Sequence, residues 1–305
     1  SIFGDILMTS QRDVQQLAMI SSVAGDIGII AGRDIQQTST GDITTTSGDL
    51  LISSGRDWMM NADAVISAGG GQMLGRATGQ IVLGRISMTN ATSNAVAIDA
   101  GSDLIDANGV TVNIEETGPA ASTSVSLRSG GRIGNSDPSS LSPGSNVNAI
   151  DLDVDVISAT ALAGIYLREI AAGGALTISH VAAVTVSIDS VQQSRFNSTS
   201  LNAAQNRTVA SLEDLTTSVN APIKVVAESG TITLHGGSDL SGLSANGSGD
   251  VLLEIDGQDT SRMDIDGVAD LLLGEAGLRV RVTVLSEGAD GPRDLELVRA
   301  RITIE

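Results

Sequence analysis

Asp151, Asp153 and Asp155 alternate with Ile150, Leu152, Val154 and Val156. On an extended strand this spacing puts three carboxylates on one face and the aliphatic side chains on the other. Carboxylates grouped in this way can serve as acid and base, or hold calcium through hard oxygen ligands. Asp264, Asp266 and Asp270 form a second group around the D-x-D-G start Asp264-Ile265-Asp266-Gly267, with Asp256 and Asp259 close in sequence. That start suits calcium, but the third alternating ligand and the distal glutamate of a helix–loop–helix calcium site are missing. These six aspartates are the metal candidates, with calcium the ion they would take; no cofactor is otherwise required. Each group also has a plainer reading. The first is a solvated strand face and the second a turn leading into a strand.

His180 and His235 are the only histidines, and neither has ligand spacing, so both read as surface or turn residues. No cysteine is present, which excludes a thiol nucleophile, a thiolate metal site and a disulfide scaffold. No G-x-S-x-G or P-loop occurs. No catalytic residue is assigned, and the chain reads as a non-enzyme.

The elements that must position these residues repeat. Gly4-Asp5-Ile6 returns as Gly25-Asp26-Ile27 and Gly48-Asp49-Leu50, at steps of 21 and 23 residues. Gln11-Arg12-Asp13-Val14 returns at the same steps as Gly32-Arg33-Asp34-Ile35 and Gly55-Arg56-Asp57-Trp58. A fainter fourth copy begins at Gly71-Gln72-Met73, with Gly79-Gln80-Ile81 as its second motif. Between the glycine turns lie runs of about three to five residues rich in Ile, Val and Thr, too short for helices. Three such strands per repeat describe one coil of a parallel β-helix with a period of about 21–23 residues. A β-sandwich would not need a shared coil period. Ile6, Ile27, Leu50 and Met73 then form one internal ladder, and Val14, Ile35, Trp58 and Ile81 another. Asp5, Asp26 and Asp49 would stack too, each bonding the backbone of its own turn or bridged by calcium. Arg12, Arg33 and Arg56 offset part of that charge.

Past residue 90 the pattern loosens. Ile150–Ile157, Ile165–Leu167, Leu176–Ile178, Val184–Ile188, Ile223–Ala227 and Val251–Ile255 still read as strands of the tube. Residues 1–270 are assigned to the β-helix, with an insertion at 192–222 in which Ser211–Leu215 is a candidate helical turn. Residues 271–305 read as terminal strands, a cap or a small β module.

Composition agrees with a narrow aliphatic tube. Of the 305 residues only Phe3, Trp58, Tyr166 and Phe196 are aromatic, and 35 are glycine. The net charge is −19, and Lys224 is the single lysine among 17 basic residues. Phosphate backbones need a basic surface, so nucleic acid is excluded as a partner. No run approaches the ~18 apolar residues of a membrane span, which argues against membrane insertion. The chain opens at Ser1 without a charged or apolar leader and reads as a processed protein or a segment of a longer one.

The Gly-Asp-Ile/Leu and Gly-Arg-Asp-Ile repeats resemble the haemagglutinin-type repeats of large bacterial exoproteins and adhesins, the filamentous-haemagglutinin group. Leu127-Arg128-Ser129-Gly130-Gly131-Arg132-Ile133-Gly134 and Gly249-Asp250-Val251-Leu252-Leu253 are similar in style. The resemblance is dense over residues 4–83 and patchy to about 255. It implies a right-handed all-β solenoid, secreted or held at the bacterial cell surface, acting as an adhesive or spacing stalk. The implied partners are a host or neighbouring-cell surface or a matrix polysaccharide. Head-to-tail self-association into an extracellular filament is a rival expectation. A polysaccharide-active enzyme working through Asp151, Asp153 and Asp155 is a third.

Overall fold

A strand alternating aliphatic and polar residues can bury only one row of side chains, so it must be closed against other strands. Here closure comes from coiling. The computed structural model describes residues 4–89, 95–117, 123–135, 148–171, 174–189, 204–238 and 240–245. It also describes the backbone strands 192–195, 198–201, 251–255, 258–259, 279–284 and 293–298. Among the described residues all regular structure is β, and no helix is long and apolar enough to cross a membrane. By internal packing the chain divides into residues 1–258 and residues 259–305.

The first unit is a parallel β-helix. Its opening coil holds β1 (Ile6–Ser10), β2 (Val14–Gln16) and β3 (Ile20–Ser22). The second holds β4 (Ile27–Ala31), β5 (Ile35–Gln37) and β6 (Ile43–Thr45). The third holds β7 (Leu50–Ser54), β8 (Trp58–Met60) and β9 (Val65–Ala68). The fourth holds β10 (Met73–Ala77), β11 (Ile81–Leu83) and β12 (Arg85–Met88). The fifth holds β13 (Val96–Ala100), β14 (Leu104–Asp106) and β15 (Ile114–Glu116). Later coils keep two long strands. β16 (Ser124–Ser129) goes with β17 (Ile150–Asp153), and β18 (Val156–Ala161) with β19 (Ile165–Glu169). Single bridges through Ile133 stand in for the missing middle strand.

Strands at equal positions pair in parallel, giving three stacked sheets. The register aligns Ile6 with Ile27, Leu50 and Met73, and Val14 with Ile35, Trp58 and Ile81, which are the two ladders read from the repeats. Inside, the aliphatic files are packed solid. Trp58 is fully buried among them, and the next coil makes room for it with a glycine. A Cβ on Gly75 would lie 2.5 Å from the Trp58 ring and 2.9 Å from Ile98. The glycines that precede Asp26 and Asp49 have another cause. A Cβ on Gly48 would sit 2.1 Å from the Gly25 carbonyl oxygen of the coil before it.

The insertion has different limits from those expected. β20 (Ala175–Ile178) continues the first sheet on β18, and the chain then leaves the tube. It forms β21 (Val184–Ile188), β22 (Gln192–Arg195), β23 (Ser198–Leu201) and β24 (Gln205–Val209), paired antiparallel as β21 with β24 and β22 with β23. It rejoins β18 at β25 (Leu215–Thr217). Val184–Ile188 is therefore a hairpin strand and not a tube strand. Ser211–Leu215 holds the Val181–Leu212 bridge and the start of β25 in place of a helical turn. The alternation of β21 is real, but it faces a different surface. Val184, Val186, Ile188 and Val209 pack on Leu51, Leu74 and Ala97, the outward row of the first sheet. The hairpin thus reaches back over coils from much earlier in the chain. β26 (Ile223–Ala227) pairs with β19, and β27 (Thr231–Leu234), β28 (Leu243–Ser244) and β29 (Val251–Ile255) extend the stack. In the second unit, Arg279–Val284 pairs antiparallel with Arg293–Val298.

Candidate functional site

The aspartate ladders are coil-to-coil clamps. Asp5 accepts the Asp26 N–H at 2.9 Å, Asp26 accepts the Asp49 N–H at 2.7 Å, and Asp49 accepts the Gln72 N–H at 2.8 Å. The expectation that each would bond its own turn is corrected: each bonds the next coil. The second motif repeats the device. Asp13 accepts from Asp34, Asp34 from Asp57, and Asp57 from Gln80. Arg33 grips Asp13 through Nε at 3.0 Å and Nη2 at 3.1 Å, and Arg56 grips Asp34 in the same two-pronged way. That grip holds Asp34 below the usual carboxylate range, whereas burial raises Asp26. Oxygens committed to backbone N–H groups stabilise a stack of like charges without an ion.

The predicted Asp151–Asp155 face is divided by the fold. Ile150–Ile157 is two strands, not one, because the chain turns a corner at Val154 and Asp155 between β17 and β18. Asp151 is fully buried and bound by Arg168, with Nε at 2.7 Å and Nη2 at 2.6 Å. Arg168 also reaches Glu228 at 3.4 Å. The Asp151 N–H donates to Asn113 Oδ1 at 2.9 Å, and Asn113 Nδ2 donates to Asp106 at 2.9 Å. Burial pushes Asp151 up to about 6 against the pull of the guanidinium, and it raises Asp106 too. Two charges bonded to each other underneath a surface form a structural pair.

Asp153 and Asp155 do share a site, a shallow cleft at the corner lined by Glu116, Asp153, Val154, Asp155, Glu169, Ala171, Gly174 and Ala175. Register explains how two glutamates come to be there. Ile43, Ile66, Ile86, Ile114 and Leu152 form an inward file of the third sheet, and the next position in that file is Glu169. The neighbouring file runs Thr45, Ala68, Met88 and then Glu116. Glu169 is 1% exposed and accepts the Ala171 N–H at 3.0 Å and the Val154 N–H at 3.4 Å. Burial, with Asp153 and Asp155 adding repulsion, pushes it up to about 7. Glu116 accepts the Thr123 N–H at 3.1 Å on one oxygen, and its other oxygen is buried without a hydrogen-bond partner. Asp153 and Asp155 are also raised, first by burial and then by neighbouring carboxylates.

Chemically the corner gathers four carboxylates, one of them able to carry a proton near neutrality. Among the described residues no cation and no aromatic ring lines the cleft. Nor, among them, is any group of three or more His, Asp or Glu arranged to hold a metal ion. His180 and His235 are both exposed, and the His235 N–H bonds the Ile178 carbonyl oxygen at 2.9 Å. Asp264, Asp266 and Asp270 lie outside the described residues. Glu116 and Glu169 were not singled out from sequence, although a signal existed. With Ile165 and Leu167 pointing inward, strand alternation makes Glu169 inward as well. No protein-family model, curated protein or solved structure matches the chain.

Proposed function

We propose that the chain is a structural, adhesive segment of a secreted or cell-surface bacterial exoprotein, acting as a stiff β-helical stalk whose loops and hairpin are free to bind. The observation that supports this is the clamp. In coil after coil an aspartate side chain captures the backbone N–H of the following coil, at one strand spacing of about 4.8 Å. Such a stack resists bending and stretching, because each step is tied by sheet bonds, by a carboxylate and by a filled core. A host or neighbouring-cell surface, or a matrix polysaccharide, is the partner class, and the hairpin that leaves the tube after Ile178 is the natural contact element. The carboxylate corner, without a cation or a ring to hold a sugar, adds little to a polysaccharide-cleaving reading.

Electron microscopy of the purified chain tests this, over a range of concentrations and with calcium or a chelator. Isolated short rods in every condition are expected. Ordered fibres that lengthen with concentration would replace the stalk by a self-assembling filament. Cleavage of a polysaccharide that is lost on changing Glu169 and Asp153 to their amides would replace it by an enzyme.

A further inference from the structure

We propose that the corner formed by Glu116, Asp153, Asp155 and Glu169 is a proton-operated latch, in which Glu169 closes the coil only while it carries a proton. Glu169 occupies a place in a file that Ile66, Ile86, Ile114 and Leu152 fill in the coils before it. An uncharged carboxylic acid can be tolerated there, 1% exposed, with two backbone N–H groups on its oxygens. An ionised one must be held in the same place without water.

The groups that face it are all acidic. Glu116 comes from the end of β15, and Asp153 and Asp155 from the β17–β18 corner. Glu228, at the end of β26, meets Glu169 only through the backbone, its N–H bonding the Glu169 carbonyl oxygen at 3.0 Å, while its carboxylate is turned to Arg168. Arg168 is next in sequence but is turned away and committed to Asp151 and Glu228. No Lys or Arg occurs between Arg132 and Arg168, or between Arg168 and Arg195. Among the described residues no Lys or Arg lines the corner, and burial, with Asp153 and Asp155 adding repulsion, raises Glu169 to about 7.

The direction of the effect follows from linkage. The closed corner binds the Glu169 proton more tightly than an opened or unfolded one. Closure is therefore favoured at low pH and is lost progressively as pH rises from the ordinary glutamate range to about 7. For that one proton the opening constant should rise by up to about tenfold per pH unit and then level off. Asp151, raised to about 6, and Asp153 and Asp155, also raised, titrate in the same sense, so the part of the step that belongs to Glu169 is the part that Glu169→Gln removes.

Hydrogen-exchange protection of the Val154 and Ala171 amides, measured from about pH 5 to 8.5 in chelator, reads the latch directly. In the unmodified chain their protection factors should fall by several-fold between about pH 6 and 7 and stay level above about pH 7.5. Glu169→Gln should take the Glu169 part out of that step. Asp153→Asn removes a repelling charge without touching the inward file, and should move the step to lower pH. An unchanged step in Glu169→Gln, or protection in the unmodified chain that is flat across that interval, would overturn the proposal. If the glutamine variant does not fold, failure of Asp153→Asn to move the step overturns it equally.

Discussion

The first four coils and the corner after residue 150 solve one problem in opposite ways. Both must hold charged groups on strands only one sheet spacing apart. In the early coils each ladder carboxylate is given to a backbone N–H of the next coil, and the same solution is copied at steps of 21 and 23 residues. At the corner each charge is placed individually. Asp151 has its own arginine, Glu116 has one backbone donor and Glu169 has two. The copied solution tolerates ionisation because every oxygen it uses meets a donor. The individual one leaves four carboxylates around one cleft, with burial raising three of them. Repetition makes the early coils robust, and departure from it creates a place that responds to conditions.

The largest loss is expected from removing one partner of the buried pair. Arg168→Ala leaves Asp151 charged and enclosed, and should cost about 3–5 kcal/mol at neutral pH by denaturant unfolding. The loss should shrink at about pH 5, where the stranded Asp151 takes up a proton. The double change Arg168→Met with Asp151→Leu should recover most of the stability, since an apolar pair of similar volume needs no solvation. If the single and double variants are equally unstable, packing rather than charge dominates the site.

An intermediate effect is expected inside the regular coils. Gly75→Ala places a methyl group 2.5 Å from the Trp58 ring and should cost about 1–3 kcal/mol by overpacking. Trp58 is the single tryptophan, so its fluorescence reports the strain locally as well as the unfolding transition. Trp58→Leu should be damaging in the unmodified chain and less so when combined with Gly75→Ala. Additive losses would mean that the two positions do not share a volume.

The regular region was legible in sequence and the corner was not, for a physical reason. Gly48 and Asp49 recur because each coil presents the same backbone to the next, so a local spacing encodes a contact made 23 residues away. The two internal ladders followed directly from that period. Arg168 and Asp151 meet once only, and their spacing of 17 residues belongs to no repeat. The corner at Val154 hid inside a smooth alternation from Ile150 to Val156, where β17 passes into β18 without a glycine or proline to mark it. Val184–Ile188 was legible as a strand, but its sequence could not say which surface it faces. That surface, the outward row of Leu51, Leu74 and Ala97, is contributed by residues far back in the chain.

The clamps themselves should show a graded response. Asp49→Ala removes the acceptor of the Gln72 N–H at 2.8 Å and is expected to cost about 1–2 kcal/mol, within the range for a charge-assisted bond with a partly buried donor. Asp49→Asn keeps an acceptor and should cost less than half as much, because the clamp needs an oxygen aimed at the next coil more than it needs a charge. Arg33→Ala should be the mildest change, roughly 0.2–1 kcal/mol and smaller still in high salt, since Arg33 and Asp13 are 42% and 34% exposed and water screens them. Asp13 still accepts the Asp34 N–H in that variant, so the coil step survives. A larger loss for Arg33→Ala than for Asp49→Ala would place the cohesion of the stack in its surface ion pairs and not in its backbone clamps.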